Sequence, residues 1–178
     1  MNKAFETALC YIGTKEHTQT GEHNPKIVEM FATIGHSWVK DDETAWCAAF
    51  VNFCLLVNNF EHTGELNARS FLKYAKKVEE PQIGDIVVFW RSSRNSWKGH
   101  VGFYVSEDEE NIYCLGGNQS NSVNVTAYKK YRLLGYIAIE LTAANRKIKE
   151  LEAELKAAIK KERIVMGLAK ALYDKTTM

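Results

Sequence analysis

Between Lys3 and Gly13 apolar residues recur at Phe5, Leu9 and Ile12, a helical spacing that closes on a glycine. A polar stretch follows, Thr14 to Asn24, and Pro25 suits the first turn of a second helix. Asn24 is its expected cap, and Ile27, Met30, Phe31 and Ile34 its buried side. After the polar segment 40–45, the run from Trp46 to Val57 is apolar almost all round, which predicts a helix at the centre of the core. A weaker helix is expected over Asn67–Lys77. Beyond Pro81 the period changes. Segments 85–90, 100–106, 111–115 and a longer one from Val123 to Leu141 are rich in β-branched and aromatic residues, with polar or glycine turns between them. Helices first and an antiparallel meander afterwards is an α+β order, distinct from βαβα alternation.

From Thr142 the pattern changes again, to Ala, Glu, Lys and Leu with apolar residues at Ile148, Leu151, Leu155, Ile159 and Met166. The expected organisation is a domain over 1–141 and a basic amphipathic helix within 142–178. The chain of 178 residues is 46% hydrophobic and 25% charged, ordinary for a globular protein. Its net charge of +1 hides an asymmetry. Residues 1–140 hold 14 Lys/Arg against 17 Asp/Glu, and residues 141–178 hold 9 against 5. No basic stripe is interleaved with aromatics on the strands, so nucleic acid is not an expected partner. The first residues have no apolar signal-peptide core, and no apolar run is long enough to span a bilayer. Cys10, Cys47, Cys54 and Cys114 show neither CxxC pairing nor zinc spacing. Free thiols, synthesis in the cytoplasm, and no metal or cofactor are the resulting expectations.

Cys47 opens the apolar helix, where unpaired backbone N–H groups and the macrodipole favour a thiolate. The residues before it are polar, which places it at a helix end near solvent. Cys54, inside the same run, reads as a core residue. His100 begins a strand after a polar loop ending in Gly99, and is the one imidazole expected at the exposed start of a Val-Gly-Phe-Tyr-Val run. Its near-neutral pKa suits a general base for a thiol. An orienting group for that imidazole is expected on the next strand. Asn118, after Gly116 and Gly117, fits either that role or a turn, and Gln119 is the competing orienter.

Five ordered blocks carry a resemblance: WCAAFVN at 46–52, GDIVVFWR at 84–91, GHVGFYV at 99–105, LGGNQSNSVNV at 115–125 and RLLGY at 132–136. Together they resemble the CHAP/NlpC-type cysteine peptidases, and among these a small bacteriophage endolysin-like branch. The resemblance, running from about Glu16 to Tyr136, implies a papain-like fold with Cys47 as nucleophile, His100 as base and Asn118 as the third residue. It implies cleavage of an amide bond in peptidoglycan, within the stem peptide or at the lactyl–alanine link, with Cys47 and His100 acting as an ion pair. The calcium-binding acidic loop of some CHAP lysins has no clear counterpart in Asp41, Asp42 and Glu43. For substrate contacts, Trp97 lies in the polar loop beside His100. Trp46 and Trp90 are further candidates for the cleft wall, with the core as the favoured reading of Trp46. Glu16 is a candidate for a stem-peptide amine, with a solvated loop charge as its favoured reading.

For the tail, packing on its own domain, self-association and contact with a membrane surface through 164–172 are the three readings. For the whole chain the expected function is an endolysin made in the host cytoplasm that reaches the wall after release. A tail-associated or secreted antibacterial effector has the same chemistry. An inactive wall-binding module is the alternative of another class, and one that has no need of Cys47 and His100.

Overall fold

The computed structural model describes residues 1–19, 21–73 and 76–176, without the side chains of 171 and 174–176. It divides into two compact units, 1–140 and 141–178. In the first, helices α1 (Lys3–Cys10), α2 (Pro25–Thr33) and α3 (Cys47–Leu56) precede a 3-10 helix, Ala68–Lys73. Six strands follow: β1 (Lys77–Val78), β2 (Ile86–Trp90), β3 (Gly99–Glu107), β4 (Asn111–Gly116), β5 (Asn124–Lys129) and β6 (Leu133–Ile137). They form one sheet in the order β1-β6-β2-β3-β4-β5, antiparallel at every pairing. The fold is α+β, with N-terminal helices and a six-stranded antiparallel sheet, as the alternation of patterns indicates.

α2 forms as its sequence dictates. Asn24 caps it, accepting from the Lys26 N–H at 3.0 Å, and Ile27, Met30 and Phe31 are buried. α1 differs from expectation. It ends at Cys10, its buried side is Ala4, Phe5 and Ala8, and Leu9 and Ile12 are exposed. Of the three spaced apolar residues only Phe5 is buried, and alanines make up the rest of the packed side. The weak helix over 67–77 is the short 3-10 turn, and residues 74 and 75 of that span lie outside the described residues. The long stretch 123–141 is broken at Lys130–Arg132 by a 3-10 turn, and the returning β6 pairs with β2 instead of extending the meander.

α3 is the centre of the core, with nine of its ten residues buried. Its Asn52, fully buried, has every polar atom engaged. Nδ2 donates to Thr63 Oγ1 (3.1 Å) and Glu65 O (2.9 Å), while Oδ1 accepts from the N–H groups of Thr63 (2.9 Å) and Gly64 (3.2 Å). A buried amide is tolerated only when satisfied in this way. The sheet buries both faces. Ile86, Val88, Val101, Phe103 and Leu115 join the helical core, whereas Val87, Phe89, Ile112, Cys114 and Tyr136 form a second, smaller cluster.

In the second unit, α4 (Ala143–Thr176) is a single long helix. Thr142 starts it, its Oγ1 accepting from Asn145 Nδ2 at 2.7 Å and its carbonyl from the Arg146 N–H at 2.9 Å. Ile148, Leu151, Leu155, Ile159 and Met166 are exposed along it. Among the described residues no helix is long and apolar enough to cross a membrane.

Candidate active site

The loop after α1 is zipped onto the turn between β4 and β5. Gly13 N–H donates to Val123 O, Val123 N–H to Thr14 O and Glu16 N–H to Asn121 O, each at 2.9 Å. Asp42, 1% exposed, fixes the other end of that loop. One of its oxygens accepts from the N–H groups of His17 (2.9 Å) and Asn24 (2.8 Å), and the other contacts His23 Nδ1 at 3.1 Å. Burial is the largest single effect on its carboxyl and raises the pKa, but these partners together outweigh it and hold the carboxyl below the usual range. The acidic segment before α3 is thus a clasp for the loop.

The clasp presents Glu16, whose Oε1 accepts from Trp46 Nε1 at 2.8 Å. Trp46 is fully buried, next to α3, the core reading of its two and not the cleft wall. Its indole is core and its N–H is satisfied by Glu16. Glu16 is partly committed to that bond. Gly117 passes over the same indole so closely that a Cβ there would lie 2.4 Å from Trp46 Cζ3. This approach brings the β4–β5 turn onto the start of α3. Trp97 is 72% exposed, with Lys98 Nζ 5.9 Å from the ring centre, and remains open to a ligand. Trp90 Nε1 donates to Tyr131 O at 3.2 Å.

Cys47 sits at the first position of α3 as expected, but it is buried (6% exposed). Burial raises its thiol pKa, while the amide N–H groups of Val101, Ala48 and Cys47 itself, and the Arg91 guanidinium, favour the anion. The Val101 amide places the thiol against the residue that follows His100.

His100 is also buried, at 3% exposed, where the pattern suggested an exposed strand start. Its ring stacks on Tyr128, with centroids 5.0 Å apart and planes at 16°, and Tyr128 in turn stacks on Phe89 at 4.4 Å. Phe89 faces His100 across the β2–β3 ladder. Burial lowers the imidazole pKa to about 4, a Gln119 hydrogen bond opposing and Arg91 and Arg132 adding to the shift. Burial acts against the expected ion pair, since it favours a neutral thiol and a neutral imidazole.

Of the two candidate orienters, Gln119 is the one bonded to His100. His100 Nε2 lies 3.0 Å from Gln119 Oε1. The amide cannot be turned round, because Gln119 Nε2 donates to Asn124 O (2.6 Å), Asn124 Oδ1 (3.1 Å) and Cys114 O (3.3 Å). Asn124 Oδ1 also accepts from Thr126 Oγ1 at 2.6 Å. An acceptor at Nε2 places the imidazole proton there and leaves the Nδ1 lone pair free. Gly116 leaves room for this contact, since a Cβ there would lie 3.1 Å from both His100 Nε2 and Gln119 Oε1. Asn118 has φ of 56° and no hydrogen bond to His100 among the described residues. Its side-chain type suits the left-handed turn it occupies.

A cavity of about 280 Å³ opens at this point, lined among others by Arg91, His100, Asn118, Gln119, Tyr128 and Arg132. Cys47 is not among its lining residues. Asn118 also borders a larger neighbouring groove shared with Glu16. Arg91, Tyr128, Arg132, Asn124 and Thr126 were not singled out in the sequence. Arg91 did close the motif block on β2, which faces His100, and Arg132 opened the block on β6, which pairs with β2.

Residues 39–118 match the family model described as the CHAP domain, which supports a CHAP/NlpC-type cysteine peptidase. The match spans Cys47, His100 and Asn118 and stops one residue before Gln119. No curated protein matches the chain significantly. The CHAP domain implies peptidoglycan as the substrate class and a cysteine- and histidine-dependent amidohydrolase as the enzyme class.

Proposed function

We propose that the protein hydrolyses an amide bond of the peptidoglycan peptide through a covalent Cys47 intermediate. The observation that carries this reading is the His100–Gln119 bond at 3.0 Å. It fixes the imidazole with Nδ1 available as a base, next to the strand amide that meets the Cys47 thiol. In the first step Cys47 Sγ attacks the carbonyl carbon while His100 Nδ1 takes the thiol proton, so a neutral pair becomes an imidazolium only as the oxyanion forms. The Cys47 backbone N–H is positioned at the helix start to receive that oxyanion. The imidazolium then protonates the leaving amine, the C–N bond breaks, and a thioester remains. Water, deprotonated by the same nitrogen, attacks the thioester and releases the carboxylic acid, returning the proton to sulfur. Gln119 keeps the ring in register, and Asn124 with Thr126 keeps Gln119 in place.

Within this class the reading favoured is a phage endolysin. It is supported by the likeness of the five motif blocks to that branch. Purified sacculi incubated with the wild type should release fragments carrying new amine and carboxyl ends, identified by mass spectrometry. Cys47→Ala should release none. Equal digestion by the two proteins would refute the nucleophile. Cells producing the protein should lyse abruptly only once their inner membrane is permeabilised. Lysis without that step would favour a secreted or tail-borne effector.

A further inference from the structure

Resting on the hydrolase reading, we propose that Arg91 and Arg132 form a carboxylate-binding subsite beside His100, which selects wall peptides bearing a free carboxylate next to the scissile amide. Both arginines line the cavity of about 280 Å³ that contains His100, and its lining holds no Asp or Glu. Arg132 is pre-organised. Its Nε and Nη2 donate to Trp90 O at 3.2 and 3.0 Å, and its plane lies over the rings of Trp90 (5.5 Å) and Tyr128 (5.6 Å). Two of its five N–H groups serve those bonds, which leaves three for a ligand. The Arg91 side chain has no hydrogen bond or ion pair among the described residues, although its backbone is fixed by the N–H bond to Lys98 O at 3.2 Å.

This concentration of positive charge runs against the surroundings. Residues 1–140 carry 17 Asp/Glu against 14 Lys/Arg, yet the two cations at the base face no carboxylate. A guanidinium pair in a partly enclosed site matches the planar, two-oxygen shape of a carboxylate. The volume suits one amino-acid-sized group and not a disaccharide.

The subsite also bears on the chemistry. The charged groups acting on His100 are Arg91 and Arg132, and Tyr128 packed on its ring is neutral. A bound anion offsets both cations, and so raises the proton affinity of the base when the right substrate is present.

The test uses two pairs of synthetic stem peptides. In one pair the γ-linked D-glutamate carries its α-carboxylate or the carboxamide. In the other the same change is made on the diamino acid that follows. The wild type should prefer the carboxylate form of one pair by roughly 10- to 100-fold in kcat/KM, the range of a charge-assisted hydrogen bond. Arg91→Gln should bring that ratio close to one, and Arg132→Gln should do the same if it folds. A loss of folding alone would lower both rates and leave the ratio unchanged. Calorimetry with the Cys47→Ala protein reads the same preference as binding, independent of turnover. Equal wild-type rates and affinities within both pairs, or a ratio that survives Arg91→Gln, would overturn the subsite while leaving the hydrolase reading intact. A wild type that cleaves neither peptides nor sacculi removes the hydrolase reading, and the subsite with it.

Discussion

Gln119 and Asn118 are neighbours in sequence with the same functional group, yet the structure gives them different work. Gln119 is 4% exposed, with its amide bonded to His100 on one side and to Asn124 and Cys114 on the other. Asn118 occupies the turn. Gln119→Ala is expected to lower kcat by about 10- to 1,000-fold, since it frees the ring and its tautomer, without reaching the loss of Cys47→Ala. Asn118→Ala should cost far less. Steady-state rates on a defined peptide give the ranking, and a reversed order would return the orienting role to Asn118. Burial also reshapes the reactivity expected of the thiols. Iodoacetamide should modify exposed Cys10 before Cys47 in the free protein. Labelling of Cys47 should rise towards alkaline pH, because its thiol pKa is raised and only the thiolate alkylates. Mass spectrometry of labelled peptides across pH checks this. A Cys47 rate that is high and flat from pH 5 to 8 would instead signal a preformed ion pair.

At the scale of elements, the site depends on how the β4–β5 turn meets α3. The Asp42 clasp, the loop 13–16 and the turn at 118–122 form one connected layer over Trp46, and Gly117 makes the close approach sterically feasible. α4 belongs to the other compact unit and contributes none of the residues in that layer. A chain ending at Thr142 should therefore still fold and digest purified sacculi at a rate near that of the full chain. Circular dichroism and turbidity of sacculi measure the two outcomes. Insolubility or inactivity of the shortened chain would make α4 part of the catalytic unit. The exposed apolar residues of α4 predict that what changes on its removal is self-association or action on intact cells, which light scattering and killing assays separate.

Over the whole molecule, the parts legible in the sequence are those set by local pattern. The capped α2, the all-apolar α3 and the change to runs of β-branched and aromatic residues after Pro81 follow from near neighbours, and the structure has them where the pattern puts them. Cys47 and His100 stood out because their residue types broke the pattern around them. What stayed hidden depends on residues far apart in the chain. The return of β6 to β2 is a pairing choice that no local spacing encodes, and the burial of His100 follows from Tyr128 lying across it from the far edge of the sheet. The bond of His100 to Gln119 and not to Asn118 rests on a turn conformation and on Asn124, and the Arg91–Arg132 cavity on two segments about 40 residues apart. All of these bear on a single claim, that Cys47 carries the acyl half of a cleaved wall peptide. The most direct measurement is to mix the wild type with a defined stem peptide, quench in acid within milliseconds to seconds, and map the mass of the peptide containing Cys47. The account predicts a thioester on Cys47 equal to the acyl fragment, absent in Cys47→Ala and accumulating when hydrolysis is slowed. Release of both products at full rate with Cys47 never acylated, or undiminished by Cys47→Ala, would contradict it.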